Sequence, residues 1–169
     1  MLDALRAYLL LFLAACSADP DHAPARTFDP CVATSIAAPD ASTEQSASLD
    51  RAIGHWRDVG IAAFARSPHP EIAVVFRDAP QAFYGFYDDD GAIVYVNERL
   101  NSEAASAVTI AHELGHALGL PHVPASVRAS VMNMGNVSVP PTPEDAAELA
   151  RLWGECSTLP QERAASRSL

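Results

Sequence analysis

The segment AHELGHALGLPH, residues 111–122, contains three of the six histidines of this 169-residue chain. His112 and His116 are four residues apart, so on an α-helix they lie one turn apart on the same face. Two imidazoles in that arrangement can bind one metal ion. The alternative is a set of histidines that face solvent or are satisfied in a core. We interpret the segment as a metal-binding helix, because the spacing of all three histidines matches a known ligand pattern.

The predicted helix ends at Gly119, because glycine tolerates the left-handed conformation of a sharp helix exit and Pro121 blocks continuation. The chain then turns back, and His122 becomes the third ligand. Three neutral imidazoles leave a fourth tetrahedral position for water, as in a catalytic zinc site. Glu113 lies beside this face and can reach that water without being a ligand. The pattern therefore predicts one catalytic Zn²⁺ with Glu113 as the general base.

The segment HELGHALGLPH resembles the zinc-binding signature of the metzincin metalloproteases, and HELGHALGL is most similar to the matrixin branch. The resemblance implies the same ligands and the same base as the spacing does. It also implies a methionine in a tight turn beneath the metal. Met132 in the segment SVMNMG is the better match, and Met134 is the alternative.

The resemblance implies a small metzincin-like zinc peptidase domain of the α+β class, with a twisted, mainly parallel sheet, an active-site helix and a C-terminal helix. The residue patterns agree. They predict an amphipathic helix ending at Gly60, a buried strand in EIAVVFRD, and two strands around the turn Asp88–Gly91. Thr142 is predicted to cap the last helix. Extended peptide is expected to pair with an exposed sheet edge, which we place near Phe83–Tyr87.

The first residues, MLDALRAYLLLFLAAC, have one arginine, an apolar run over 7–15 and then a cysteine, which is typical of a secretory signal. The run is too short to span a bilayer. Leu13–Cys16 resembles a bacterial lipobox, in which the cysteine is lipidated. An ordinary signal cut near Ala15 or Ala18 is the alternative. We predict an exported protein that is lipid-anchored through Cys16 in the bacterial cell envelope, with full secretion as the alternative.

Export leaves two further cysteines, Cys31 and Cys156, in an oxidising compartment, where a disulfide between them is expected. The competing interpretation is that Cys31 caps the metal in a latent form. The domain organisation that we predict is a lipoprotein-type signal peptide, a flexible tether, a metzincin-like catalytic domain and a disordered tail. In that order the four parts are residues 1–15, 16–45, 46–156 and 157–169.

The chain has eleven arginines, no lysine and a net charge of −10. This charge argues against a nucleic-acid partner, because the chain cannot neutralise a row of phosphates. It also argues against docking on anionic lipid, so membrane contact is expected only through the lipid anchor. Calcium at Asp88–Asp90 is allowed but not indicated, because no spaced oxygen-ligand pattern is visible and a solvated turn is favoured. His55 and His69 are interpreted as non-ligands.

The function predicted from the sequence is a monomeric zinc-dependent endopeptidase that acts on protein or peptide substrates through metal-activated water. The alternative is a catalytically silent, zinc-containing module that binds peptides. A third interpretation is a peptidase confined to one partner or to self-processing. The presence of Glu113 favours an enzyme, because a binding module does not need a general base.

Overall fold

The computed structural model describes residues 27–156, which form a sheet and helices in the order expected for an α+β domain. The strands and helices of these residues are, in chain order, β1 Thr34–Ala37, α1 Thr43–Asp58, β2 Phe64–Arg66, β3 Ile72–Arg77, β4 Gly85–Asp88, β5 Ile93–Asn97, α2 Glu103–Ala117 and α3 Pro143–Trp153.

The strands form one sheet in the order β2-β1-β3-β5-β4. All neighbouring strands are parallel except β4, which pairs antiparallel to β5 at one edge. The β4–β5 hairpin is the pair that the sequence predicts around the turn Asp88–Gly91. The predicted α+β class, mainly parallel sheet and C-terminal helix are therefore confirmed.

Helix α1 begins with a capping box, in which Ser42 and Gln45 satisfy each other's backbone N–H groups. Its buried face includes Leu49, Ile53 and Trp56, at the spacing of an amphipathic helix. The Trp56 indole N–H donates to the Ala111 carbonyl at 3.0 Å. This hydrogen bond ties α1 to α2 at the residue before His112, so the core directly supports the metal-binding helix.

The prediction of a flexible tether over 16–45 is wrong for the second half of that range, which contains a strand. Thr34–Ala37 forms β1, which lies between β2 and β3 in the sheet, and Ile36 is fully buried. The composition of residues 16–45 is typical of a linker, but β1 is stabilised by pairing with strands that are distant in sequence. The folded unit also begins before residue 46, since α1 starts at Thr43.

Three predictions concern residues outside the described range. These are the signal peptide over 1–15, lipidation of Cys16, and the tail over 157–169. Within residues 27–156, each helix is too short or too polar to cross a membrane.

Helix α3 has the predicted caps. Thr142 is the N-cap, Pro143 opens the first turn, and Asp145 completes a capping box. Leu149 on this helix is fully buried, whereas Leu152 is exposed. Immediately after α3, Cys156 forms a disulfide with Cys31, which lies just before β1.

Candidate metal centre

Helix α2 is buried along most of its length between α1 and the sheet. Ser102 is its N-cap, and the serine Oγ accepts from the Ala105 N–H at 3.1 Å. His112 and Glu113 are 7% and 6% exposed, so both side chains are largely buried.

The C-terminus of α2 reverses sharply at Gly119, which has φ = +93°. The Gly119 N–H donates to the His116 carbonyl at 2.8 Å, and the Leu120 N–H donates to the Gly115 carbonyl at 2.9 Å. This pair of hydrogen bonds is the Schellman motif that a left-handed glycine permits. The reversal brings Leu120 back towards the helix and sends the chain on to His122.

Two backbone carbonyls fix the tautomers of the helical histidines. The His112 Nδ1–H donates to the Val131 carbonyl at 2.6 Å, and the His116 Nδ1–H donates to the Leu120 carbonyl at 2.9 Å. Both rings therefore keep a lone pair on Nε2, the atom that faces the other histidines. Metal-binding histidines are commonly oriented in this way through their second nitrogen.

The three Nε2 atoms converge. That of His122 lies 3.2 Å from those of both His112 and His116, and the three ligand atoms lie within 4.8 Å of one another. Zn–N bonds of about 2.0–2.1 Å in a tetrahedral site place nitrogens roughly 3.3 Å apart. Among residues 27–156, this is the one cluster of His, Cys, Asp or Glu side chains placed to hold a metal ion.

The close approach of the three Nε2 atoms also favours a bound cation on electrostatic grounds. A proton on the Nε2 of His122 could be donated to one neighbouring lone pair but not to both. A divalent cation satisfies all three lone pairs together. The donor set, three neutral imidazoles, suits zinc and leaves room for water as a fourth ligand.

Burial keeps these imidazoles neutral. It lowers the pKa of His112 to about 4, with a smaller contribution from the charge of His122. It lowers the pKa of His116 to about 3, assisted by the charges of the other two rings, and it also lowers the pKa of His122. Neutral rings are the form that binds metal, so the site does not have to lose protons near pH 7.

His122 is held by the loop that contains the methionine. The Val123 N–H donates to the Met132 carbonyl at 2.9 Å, and the Asn133 side-chain amide donates to the Val123 carbonyl at 2.9 Å. Both backbone groups of the residue after His122 are therefore bound. Helix α2 carries His112 and His116, and this loop supports His122.

Met132 is fully buried, whereas Met134 is 58% exposed. The Met132 Sδ lies against Gly115, and a Cβ added at Gly115 would be 2.4 Å from the sulfur. The glycine between Glu113 and His116 therefore leaves the space that the methionine fills. The assignment of Met132 to a turn beneath the metal stays a prediction from the family resemblance.

The Glu113 carboxylate accepts a hydrogen bond from the Tyr87 backbone N–H in the edge strand β4. Burial raises the pKa of Glu113 to about 8, and the Tyr87 N–H opposes that rise. A divalent cation at the histidines would also oppose it, because a positive charge favours the ionised carboxylate. Gly85 faces the same carboxylate, and a Cβ there would lie 2.9 Å from the Glu113 Oε1.

The other candidates lie elsewhere. His55 is on α1, His69 is in the loop between β2 and β3, and neither belongs to the cluster. The side chain of Asp88 accepts from the Gly91 N–H at 3.3 Å, so Asp88 serves the hairpin turn. Cys31 is bonded to Cys156, so the thiol that could cap a metal is absent from this structure.

Sequence reasoning missed the groups that hold the ligands in place. Three of them are backbone groups, the carbonyls of Leu120 and Val131 and the N–H of Tyr87, and a sequence does not show where backbone groups point. Gly85 carried no signal because its close contact is with a helix distant in sequence. Asp145 was recognised only as a helix cap, although its carboxylate also binds the loop before Met132.

No known protein family matches the chain, and no curated protein sequence matches it. Among solved structures, the chain is similar to a crystal structure of myroilysin, with a TM-score of 0.57 and 13% sequence identity. That match covers 85% of this chain and 96% of the other. A second structure of myroilysin matches with a TM-score of 0.46 and 17% identity, over 59% of this chain and 54% of that one.

At this level of identity, the likeness shows the fold alone. It agrees with the predicted small α+β fold with a mainly parallel sheet. It does not support the matrixin branch, which depends on the segment HELGHALGL. What the site does must therefore be argued from its own residues.

Proposed function

We propose that this protein is a zinc-dependent endopeptidase. The observation that carries the proposal is the convergence of three Nε2 lone pairs, two of them fixed by backbone carbonyls, beside a buried carboxylate. His112, His116 and His122 would hold one Zn²⁺. The proposed activity goes beyond the fold likeness, and the matrixin assignment stays a prediction from the sequence.

When bound, zinc lowers the pKa of a coordinated water towards neutrality and polarises the scissile carbonyl. Glu113 takes the proton from the attacking water and then delivers it to the leaving amine. The burial of Glu113 suits this role, because a carboxyl whose pKa is raised towards neutrality can both accept and return a proton. The Tyr87 N–H keeps the carboxylate oriented towards the cleft.

The substrate is proposed to lie along β4 in an extended conformation. Strand β4 lies at the edge of the sheet. The Asn97 N–H donates to the Tyr84 carbonyl, so the backbone of Tyr84 faces β5. By alternation, the backbone groups of Gly85 and Tyr87 point away from β5. A peptide added at this edge would run beside Glu113, so the scissile bond would be close to the metal.

The cellular setting is also a proposal. Export with lipidation at Cys16 would place the domain in the cell envelope, and the Cys31–Cys156 disulfide is compatible with an oxidising compartment. The active unit is proposed to be a monomer, with catalytic residues drawn from 46–156.

The direct test combines metal analysis with cleavage of a peptide library. The wild type is expected to contain one zinc per chain and to cut internal peptide bonds. Glu113→Gln should keep zinc and lower cleavage by about 10²–10⁴-fold, the usual contribution of a general base. Glu103→Gln, the same change in the first turn of α2, should leave cleavage intact and serves as the control.

Retained cleavage in Glu113→Gln would remove Glu113 from its role. A wild type that contains zinc and binds peptides but does not cleave them would instead be the silent binding module. Loss of cleavage in Glu103→Gln as well would indicate damage to α2 rather than loss of a base.

A further inference from the structure

Asp145 is a charged residue that is fully buried. Its Oδ2 accepts from the Thr142 N–H at 3.0 Å and from the Thr142 hydroxyl at 2.9 Å, which is its role in the cap of α3. Its Oδ1 accepts from the Ser130 hydroxyl at 2.5 Å and from the Arg128 guanidinium at 2.7 Å. Oδ2 also accepts from the Val131 N–H at 3.1 Å. Helix capping explains the contacts with Thr142 and none of the others.

The remaining contacts lead to the metal centre. The His112 Nδ1–H donates to the Val131 carbonyl at 2.6 Å. On the other side of the same peptide group, the Met132 N–H donates to the Ser130 Oγ at 2.9 Å. The Ser130 hydroxyl then donates to the Asp145 carboxylate. Every donor in this series points towards Asp145, so the four groups form one continuous relay from the imidazole to the carboxylate.

We propose that Asp145 is a positioning residue for the metal site, acting through Ser130, the Val131–Met132 peptide group and the ring of His112. The proposal rests on the proposed zinc site, because it concerns how firmly that site holds its ion. It assigns Asp145 a second role besides capping α3.

The physical reason is cooperativity between hydrogen bonds in a buried, low-dielectric region. A carboxylate that accepts from Ser130 makes the serine oxygen a better acceptor for the Met132 N–H. The polarised peptide group then presents a more basic carbonyl to His112. A more strongly held Nδ1–H makes the opposite nitrogen a better metal ligand, as a carboxylate bound directly to a ligating histidine does.

The relay also fixes geometry. Val131 and Met132 are fully buried, and Asp145 accepts from both the Ser130 hydroxyl and the Val131 backbone N–H. The carbonyl that orients His112 therefore cannot turn away without breaking bonds to a buried charge. Removing Ser130 Oγ interrupts the relay but leaves the cap of α3 intact, which separates the two roles of Asp145.

The test measures zinc affinity, by competition with a chromophoric chelator, in the wild type, Ser130→Ala, Asp145→Asn and Thr142→Val. Thr142→Val is the matched control, because it weakens the cap of α3 and removes one hydrogen bond to Asp145 Oδ2 but leaves the contacts from Asp145 through Ser130 to His112 in place. Each protein is also loaded with Co²⁺ for its visible absorption spectrum, and its melting temperature is recorded. Ser130→Ala keeps the test decisive if Asp145→Asn does not fold.

Ser130→Ala is expected to lower zinc affinity by about 10-fold or more, the usual effect of losing a group that orients a metal-binding histidine, and to shift the Co²⁺ spectrum. Thr142→Val should lower the melting temperature but keep the wild-type affinity and spectrum. Wild-type affinity in Ser130→Ala would overturn the relay while leaving the proposed function standing. An affinity loss in Thr142→Val matching that in Ser130→Ala would also overturn it. A wild type that binds no zinc would overturn both the relay and the proposed function.

Discussion

Gly119 has a backbone conformation that L-residues with a side chain rarely adopt, with φ = +93°. The residues that follow it supply the Leu120 carbonyl and His122, so the proposed metal site depends on this one conformation. Little obstructs a side chain sterically, since a Cβ at Gly119 would be 3.5 Å from its nearest neighbour. The constraint is therefore conformational rather than one of packing.

We predict that Gly119→Ala lowers the free energy of unfolding by about 1–2 kcal/mol, the cost of a left-handed conformation in a residue with a Cβ. Zinc affinity should fall as well, because the chain after the helix exit shifts. Gly54→Ala is the control, since Gly54 lies inside α1 with no atom within 4 Å of an added Cβ. That change should be neutral or stabilising by up to about 1 kcal/mol. Equal effects of the two substitutions in urea unfolding would contradict the conformational argument.

Thr109 has a hydroxyl that is buried without a hydrogen-bond partner among the described residues. An unsatisfied buried hydroxyl costs about 1–3 kcal/mol, so the isosteric change Thr109→Val should stabilise the protein by about 1 kcal/mol. The same change at Thr142 removes a satisfied cap and should destabilise it by about 1 kcal/mol. Thermal unfolding of the two variants measures whether each change raises or lowers the stability of the protein. A destabilised Thr109→Val would mean that water satisfies the Thr109 hydroxyl.

At the scale of elements, Asp145 joins α3 to the loop that contains Ser130, Val131 and Met132. Burial alone would raise the pKa of this carboxyl, but hydrogen bonds from Ser130, Thr142, Arg128 and Val131 outweigh it and lower the pKa below the ordinary 3.8. A lowered folded-state pKa contributes stability above the unfolded-state pKa, and that stability is lost as the pH falls through the folded-state value.

The wild type should therefore lose stability as the pH falls below about 4. Asp145→Asn should be less stable at neutral pH and should lose less on acidification, because it has no carboxylate to protonate. The measurement is urea unfolding between neutral and acidic pH in the presence of a chelator, so that metal release does not contribute. If the free energy of unfolding fell equally with pH in the two proteins, Asp145 would not be the group responsible for the acid sensitivity.

The helices were predictable because their signals are local. Thr142, Pro143 and Asp145 lie within one turn of the start of α3, and Gly119 lies just after the end of α2. Strand β1 was missed because its four residues, Thr34–Ala37, contain one large apolar side chain and depend on partners elsewhere in the chain. Local patterns therefore identify caps and amphipathic faces, whereas sheet order comes from non-local pairing.

At the scale of the whole molecule, the Cys31–Cys156 disulfide joins two segments that both bind the C-terminus of α2. The Phe28 N–H donates to the Ala117 carbonyl at 2.8 Å, and the Trp153 indole N–H donates to the Leu118 carbonyl at 2.9 Å. Both carbonyls belong to the last turn of the helix, where backbone acceptors need partners from outside the helix.

We predict that Cys31→Ser combined with Cys156→Ser lowers the free energy of unfolding by roughly 3–5 kcal/mol, since the bridge closes a loop with a sequence separation of 125 residues. The double variant avoids leaving a free thiol. Wild type treated with a reductant should unfold at the same urea concentration as the double variant. An unchanged midpoint in both would contradict a stabilising role for the disulfide.

The three histidines of the candidate site could be identified from the sequence because HELGHALGLPH encodes their spacing, their helix and the exit at Gly119. Their supports could not, because the Val131 carbonyl and the Tyr87 N–H come from a loop and a strand brought to α2 by the fold. The sequence thus identifies the residue types of the site, and the tertiary structure supplies the groups that orient their side chains.

The central claim is that three imidazole nitrogens bind one zinc ion. It is tested most directly by zinc K-edge X-ray absorption on protein that contains one zinc per chain. We predict coordination by three imidazole nitrogens from His112, His116 and His122 at about 2.0–2.1 Å, with one oxygen ligand. Fewer than three imidazoles, or a sulfur ligand at about 2.3 Å, would contradict the claim.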